Sequence, residues 1–330
     1  MKFLTKVIIA ITAIIAVTAF EANHERESFI FSKFQAFLKE HGKSYSTIEE
    51  YSARFEIFKA NYAKIEQFSA NPNQTHKVGI TKFFDLTRQE FRNTYLNLKV
   101  TLLDQLKAKS GKFVARDEAT PDTKDWRTDG AVGPVKDQGQ CGSCWAFSTV
   151  ANLEGIYQIK NKKSVVLSEQ SLVDCDKVDS GCNGGLMENS LAFVRDNGIA
   201  FSKDYPYHAR NQKCAKYVSA MKVTGFTFAP SQDEQAIKTM LAQTGPLSIA
   251  VNANPFQFYD SGILDSDSNE CDPQELDHGV ALVGYGSENG KEYWIVRNSW
   301  GSNWGENGYI RVALGKGVCG INTYVITGDL

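Results

Sequence analysis

The chemistry in this chain starts with its thiols. Its seven cysteines are Cys141, Cys144, Cys175, Cys182, Cys214, Cys271 and Cys319, and none precedes Cys141. An odd count leaves one thiol outside any set of pairs, and the count alone does not say which. Cys141 and Cys144 form a Cys-x-x-Cys pair, a spacing shared by zinc ligands and redox dithiols. No second such pair follows and no two histidines stand at ligand spacing, which argues against zinc. Cys144 opens a helix expected over 144–160, with Ser143 where a cap belongs and Trp145, Phe147, Val150, Leu153 and Tyr157 giving an apolar face. A thiol in the first helical turn meets unpaired N–H groups and the positive end of the helix dipole, both of which favour thiolate. A thiolate nucleophile needs a positioned base. Beyond residue 119 only His208 and His278 are available. His208 lies in the polar turn Tyr205-Pro206-Tyr207-His208 and reads as a surface residue. His278 stands at the mouth of an apolar strand, 134 residues after Cys144.

The elements that must position these groups change character along the chain. Phe31, Phe34 and Phe37, and then Phe55, Phe58, Tyr62, Ile65 and Phe68, have helical spacing, and Asn71-Pro72 ends that run. An extended piece is expected around 78–84. Asp85 or Thr87 would then cap a helix through Phe91. Residues 103–120 are polar, carry Lys107, Lys109, Lys112 and Arg116, and read as a cleavable linker. Past residue 120 helix and strand mix. Helices are expected over 167–174 and 187–197, and strands over 247–251, 279–283, 293–297 and 309–312. A helical half before a strand-rich half implies two packed lobes with a cleft between them.

Composition sets the class and the route. Apolar residues make up 42% and charged residues 22%, with a formal net charge of -2, so nothing points to a nucleic-acid partner. Lys2 and Lys6 precede an apolar run over 7–20, and Val17-Thr18-Ala19 supplies small residues at its exit. This layout is that of a secretory signal over residues 1–19. The run falls short of the roughly 20 residues a spanning helix needs, so no stable membrane insertion is expected. Residues 20–119 carry 16 Lys plus Arg against 13 Asp plus Glu, whereas residues 120–330 carry 18 against 25. Asn73-Gln74-Thr75 is a glycosylation sequon.

The segment Gln138-Gly139-Gln140-Cys141-Gly142-Ser143-Cys144-Trp145-Ala146-Phe147 resembles the papain and cathepsin family of cysteine peptidases. Leu276-Asp277-His278-Gly279-Val280 and Arg297-Asn298-Ser299-Trp300-Gly301 follow in the family's order, with Asn298 154 residues after Cys144. The resemblance implies an α+β, papain-like two-lobe fold: a helical lobe and a β-barrel-like lobe with the active-site cleft between them, preceded by a helical propeptide. Its divisions would be 1–19 signal peptide, 20–119 propeptide and 120–330 peptidase. Cys144 and His278 would form a thiolate–imidazolium pair, Asn298 would orient the imidazole, and Trp300 would cover that hydrogen bond. Gln138 and the Cys144 N–H would form the oxyanion hole. No metal or organic cofactor is implied.

The same resemblance implies disulfides Cys141–Cys182, Cys175–Cys214 and Cys271–Cys319, where sequence alone leaves fifteen pairings of six thiols. Gly185 would bind substrate backbone. Leu186, Met187, Ala250, Leu276, Gly279 and Tyr324 would line the pocket that sets preference. Tyr324 at its floor would make it shallow and suited to Leu or Val, or else its ring turns away into packing. No histidine-bearing insertion follows Gly185, which favours an endopeptidase of cathepsin-L-like type. Glu50, Arg54, Ile57, Phe58, Asn61 and Ile65 match an inhibitory propeptide helix, with Ser69 in place of a final Asn. Gly79, Phe83 and Asp85 match its second motif, with Thr81 in place of Asn. Expected partners are protein and peptide substrates and the chain's own propeptide, in a monomer. The expected location is the secretory pathway, either a lysosome-like acidic compartment or outside the cell. Processing near 116–120 is expected at acid pH, when protonated carboxylates loosen charge docking.

Overall fold

A computed structural model describes residues 2–98, 100, 111–265 and 271–330, with side chains described from residue 21 onward and not at 111–112. The side chains of the expected signal segment, and Lys107 and Lys109 of the expected linker, lie outside the described residues. The chain divides into two compact units, 1–71 with 82–87, and 72–81 with 88–330.

In the first unit, α1 (Lys2–Glu40) packs against α2 (Ile48–Ser69). Phe34, Phe37 and Phe58 are fully buried, with Phe58 edge-on to Phe84 at 4.8 Å. Phe31 is 42% exposed, because a three-residue repeat drifts off the face of a 3.6-residue helix. Thr47 caps α2 by accepting the Glu50 N–H, and the Glu50 carboxylate accepts from Ser46. The Asn61 side chain donates to Phe84 O and Leu86 O. The next helix begins at Arg88, so the cap position falls to Thr87, the other candidate, and not to Asp85. Its buried carboxylate accepts from Lys43 and Tyr45, while its carbonyl accepts from Arg54. The expected extended stretch is also shorter, because residues 82–85 form a turn. Two consecutive aromatics, Phe83 and Phe84, are both buried there, which a strand covered on one face only would not give.

The second unit contains β1 (His76–Val78), α3 (Arg88–Tyr95), β2 (Gly111–Lys112), β3 (Lys124–Asp125), α4 (Cys144–Asn161), α5 (Glu169–Cys175) and α6 (Met187–Asn197). It continues with β4 (Ile199–Ala200), β5 (Ser219–Met221), β6 (Gly225–Phe228), α7 (Glu234–Thr244), β7 (Leu247–Val251) and β8 (Tyr259–Leu264). β9 (His278–Glu288), β10 (Lys291–Arg297), β11 (Tyr309–Ala313) and β12 (Tyr324–Asp329) complete it. The large sheet runs β1-β8-β11-β10-β9-β7-β12-β6-β2, with β3 also on β9, and β4 pairs β5 separately. β9 outruns its expected span because β3, β7 and β10 all pair along it.

The first 13 residues of α4 are buried all round, so the helix is a core element rather than the one-faced helix expected. Its polar groups are satisfied inside. Ser148 donates to Val280 O, and Asn152 donates to Pro246 O and to the Thr327 hydroxyl. These bonds hold α4 against β9 and β12, which fixes where its first residue falls. Ser143 precedes the helix without a side-chain cap. Its hydroxyl instead meets Tyr207 Oη at 2.6 Å, and Tyr207 also donates to Gln138 O. Disulfides join Cys141–Cys182, Cys175–Cys214 and Cys271–Cys319, and Cys144 is the free cysteine.

Candidate active site

Three chain positions converge where α4 meets β9. Cys144 is the first residue of α4, so its N–H has no acceptor within the helix. His278 is the first residue of β9, and Asn298 directly follows β10, the neighbouring strand. His278 Nε2 lies 2.8 Å from Asn298 Oδ1. The Trp300 indole stacks on the imidazole at 4.7 Å and is itself met edge-on by Phe91, Phe256 and Trp304. His278 and Asn298 are buried beneath this aromatic cover. His278 Nδ1 has no hydrogen-bond partner among the described residues. His208, by contrast, is exposed.

Gln138 is fully buried and held at both ends. Its Oε1 accepts from Ser299 Oγ at 2.7 Å, while Nε2 donates to Cys141 O at 2.9 Å and approaches Tyr95 O at 3.4 Å. The amide N–H groups therefore point at two backbone carbonyls, that of Cys141 and that of the last residue of α3. Ser299 lies inside the motif that carries Asn298, but no spacing ties it or Tyr207 to Gln138. Both pair with partners more than 60 residues away.

Residues 95–98 cover the thiol. Leu98 N donates to Asp277 O at 3.0 Å, and the backbone N–H groups of Asn97, Gly279 and Trp145 lie against the Cys144 sulfur. Burial pushes the thiol up to about 11, with those N–H groups pulling the other way. Burial also brings His278 down to about 4, opposed by its bond to Asn298. While residues 95–98 exclude water, burial works against the expected thiolate–imidazolium pair from both sides. Burial raises the neighbouring Asp277 to about 6.

The pocket residues meet through sheet register. Tyr324 faces Ala250 and Ala250 faces Gly279, so β12, β7 and β9 place the three in one row. A Cβ on Gly279 would sit 3.2 Å from Met187 Sδ and from Cys144 O. Met187, Ala250, Leu276, Tyr324 and Leu98 belong to one buried cluster, and Leu186 is half-buried against it. Tyr324 is neither loose nor turned out, since its ring meets Phe228 edge-on at 5.2 Å. Gly184 has φ +114, and a Cβ there would lie 2.0 Å from Asn97 O, so close backbone approach falls on this residue. A Cβ on Gly185 would instead strike the Trp145 ring at 2.6 Å. Among the described residues no cluster suited to a metal ion occurs.

A mixed helix-and-sheet fold with a buried thiol at a helix start, and a hydrogen-bonded histidine–asparagine pair on the strands packed against that helix, fits the class of cysteine peptidases. The chain belongs to the papain family. Residues 120–328 match the Papain family cysteine protease description, and residues 34–91 match the Cathepsin propeptide inhibitor domain (I29). It is 44% identical over 301 residues to Probable cysteine protease RD21C of Arabidopsis thaliana, covering 87% of this chain and 65% of that protein. Cysteine proteinase 1 of Dictyostelium discoideum is 42% identical, with 90% of this chain and 92% of that protein covered. The chain thus spans under two thirds of the RD21 relatives and nearly all of the Dictyostelium one. Among solved structures, digestive procathepsin L 3 of Tenebrio molitor larval midgut matches with TM-score 0.84 at 35% identity, covering 91% and 99%. Recombinant stem bromelain precursor matches with TM-score 0.82 at 36% identity, over 91% of this chain and 99% of its own.

Proposed function

We propose that this chain is the proform of a cysteine endopeptidase that hydrolyses peptide bonds in protein and peptide substrates. The observation that carries this reading is the His278–Asn298 hydrogen bond under Trp300, on the strand packed against the helix that Cys144 opens. Once residues 95–98 leave, water and the helix N-terminus favour ionisation, and the Cys144 proton passes to His278 Nδ1. The thiolate attacks the peptide carbonyl carbon. The oxyanion that forms accepts from the Gln138 amide and the Cys144 N–H. Collapse breaks the C–N bond as His278 donates its proton to the leaving amine, and a thioester to Cys144 remains. His278 then takes a proton from water, the resulting hydroxide attacks the thioester, and the acid product departs as the thiolate is restored. Asn298 keeps Nε2 engaged, so that Nδ1 faces the sulfur throughout.

In the covered state Leu98 fills the apolar cluster, and the backbone of residues 95–98 occupies the donors a substrate would use. This supports the 20–119 stretch as an inhibitor of its own peptidase region. Tyr324, Ala250 and Gly279 in one row support a shallow pocket suited to Leu or Val. Three disulfides support maturation in an oxidising compartment on the secretory route, ending in an acidic vacuole or outside the cell. Asn73 is exposed, as a glycosylated residue must be. The test is cleavage of fluorogenic peptides by the processed chain, beside Cys144→Ala and His278→Ala. The reading requires loss of turnover in both variants, and labelling of Cys144 by a thiol-reactive epoxide only after processing. Turnover surviving Cys144→Ala would end it.

A further inference from the structure

Beneath the pocket row lies a carboxylate that the reaction does not use. Glu188 is the second residue of α6 and is 5% exposed. Its Oε2 accepts the Tyr324 hydroxyl, and its backbone N–H donates to the same oxygen at 3.2 Å. The hydroxyl is therefore held from two directions at the start of one helix, and the ring has no freedom to swing. The other carboxylate oxygen, Oε1, is buried and has no hydrogen-bond partner among the described residues. A buried carboxylate oxygen with an unused lone pair is costly, and a cationic or N–H donor that reached it would be favoured. Tyr324 belongs to the apolar cluster that holds Leu98, and its hydroxyl is the group bonded to Glu188. Asp179 stands close enough to act on Tyr324 as well, though one of its oxygens is already occupied by Leu186 N and the Asn189 amide.

The geometry points to Glu188 as a second determinant of side-chain choice, a positioning residue that latches Tyr324 shut over a buried carboxyl group. With the latch closed, the pocket ends at an apolar ring and takes short branched side chains. With the ring removed, the same pocket ends at a carboxylate and takes a long cationic side chain, arginine before lysine because a guanidinium binds a carboxylate through two N–H groups. The residue at position 324 selects between these outcomes, and Glu188 supplies the chemistry of both. The inference rests on the pocket assignment made under the proposed function.

The experiment uses the full chain after processing, with active sites counted by epoxide labelling. Four peptides carry Leu, Val, Phe or Arg at the second residue before the scissile bond. The wild type should cleave Leu and Val above Phe and Arg. Tyr324→Ala should raise the Arg-to-Leu ratio of kcat/KM at least tenfold, mainly through KM for Arg. Tyr324→Ala with Glu188→Gln should lose that gain while keeping the wider acceptance of Phe. Tyr324→Phe, which keeps ring volume if the alanine variant fails to fold, should release the latch and raise the same ratio a few-fold. An unchanged Arg-to-Leu ratio in whichever Tyr324 variant folds, or an Arg gain that survives Glu188→Gln, overturns the inference. Wild type that labels with epoxide but cleaves none of the four overturns the endopeptidase reading itself, a failure distinct from unchanged selectivity in active enzyme.

Discussion

Leu98→Ala is the sharpest test of how the thiol is covered. Leu98 is 4% exposed and shares a buried cluster with Met187, Ala250, Leu276 and Tyr324. Truncating a buried leucine costs about 2–5 kcal/mol, and the lower end applies where the cleft can rehydrate. The cost falls on the seating of residues 95–98, because the pocket walls belong to strands that stay paired without Leu98. About 2–3 kcal/mol raises the uncovered population by about 30- to 150-fold. The thiol in the covered state is suppressed twice, by steric cover and by a value pushed up to about 11. Alkylation should therefore proceed through the uncovered state, with a rate that follows its population. The assay is iodoacetamide labelling of Cys144 in the uncleaved chain at pH 7.5, read by intact mass, with Leu98→Met as a control near wild type. If Leu98→Ala folds normally but labels within threefold of wild type, Leu98 does not hold the cover down.

Acid should release the cover through histidines rather than through the carboxylates expected from charge alone. His278 and His76 are both brought down to about 4 from 6.5 by burial, so their support for the covered state is full above pH 6.5 and is lost as pH falls toward 4. Asp277, raised to about 6 from 3.8, acts in the opposite sense, favouring the covered state at acid pH and losing that contribution as pH rises through 6. Two histidines outweigh one carboxyl, so processing should run faster at pH 4.5 than at pH 7. His76→Leu should flatten that dependence, and an equal rate at both pH values would refute the argument. Gln138→Ala should lower kcat by about 10²–10³ with KM changed only a few-fold, in steady-state cleavage of a Leu-containing peptide. Ser299→Ala removes the hydroxyl that holds Gln138 Oε1, and a smaller loss of kcat is expected, with Ser299→Thr restoring most of it.

What could be read in the sequence was local. The α6 and β7 spans, 187–197 and 247–251, coincide with the expected ones, because Gly, Asn and Pro punctuate a strong periodicity at their ends. The start of α4 at Cys144 and of β9 near His278 were legible for the same reason. The residue economy of two histidines needed no structure at all. Pairings across long separations left no such trace. Glu188 meets Tyr324 across 136 residues and Gln138 meets Ser299 across 161, and neither end carries a pattern that names the other. Ser143 has the residue type of a cap, yet tertiary contact with Tyr207 takes its hydroxyl. Residues 96–98 have no periodicity, so their place over the thiol was not visible from spacing. Thr81 stands where Asn was expected, and its hydroxyl still donates to Gln257 O at 2.6 Å. A shorter donor keeps a bond there.

The order of the large sheet bears on the life of the processed enzyme. Its two outermost strands, β1 and β2, both come from the stretch before residue 116, whereas β3 stays attached to β9 and Pro121 O accepts from Tyr285. A cut in residues 116–120 would keep the new N-terminus stitched down and strip the sheet of both borders at once. β8 and β6 would then present open rows of N–H and C=O groups to solvent. Activation in this sense exchanges two short edge strands for two longer ones. It should shorten the enzyme's colloidal lifetime at high concentration, and it leaves two sites where an extended strand from another molecule could zip on.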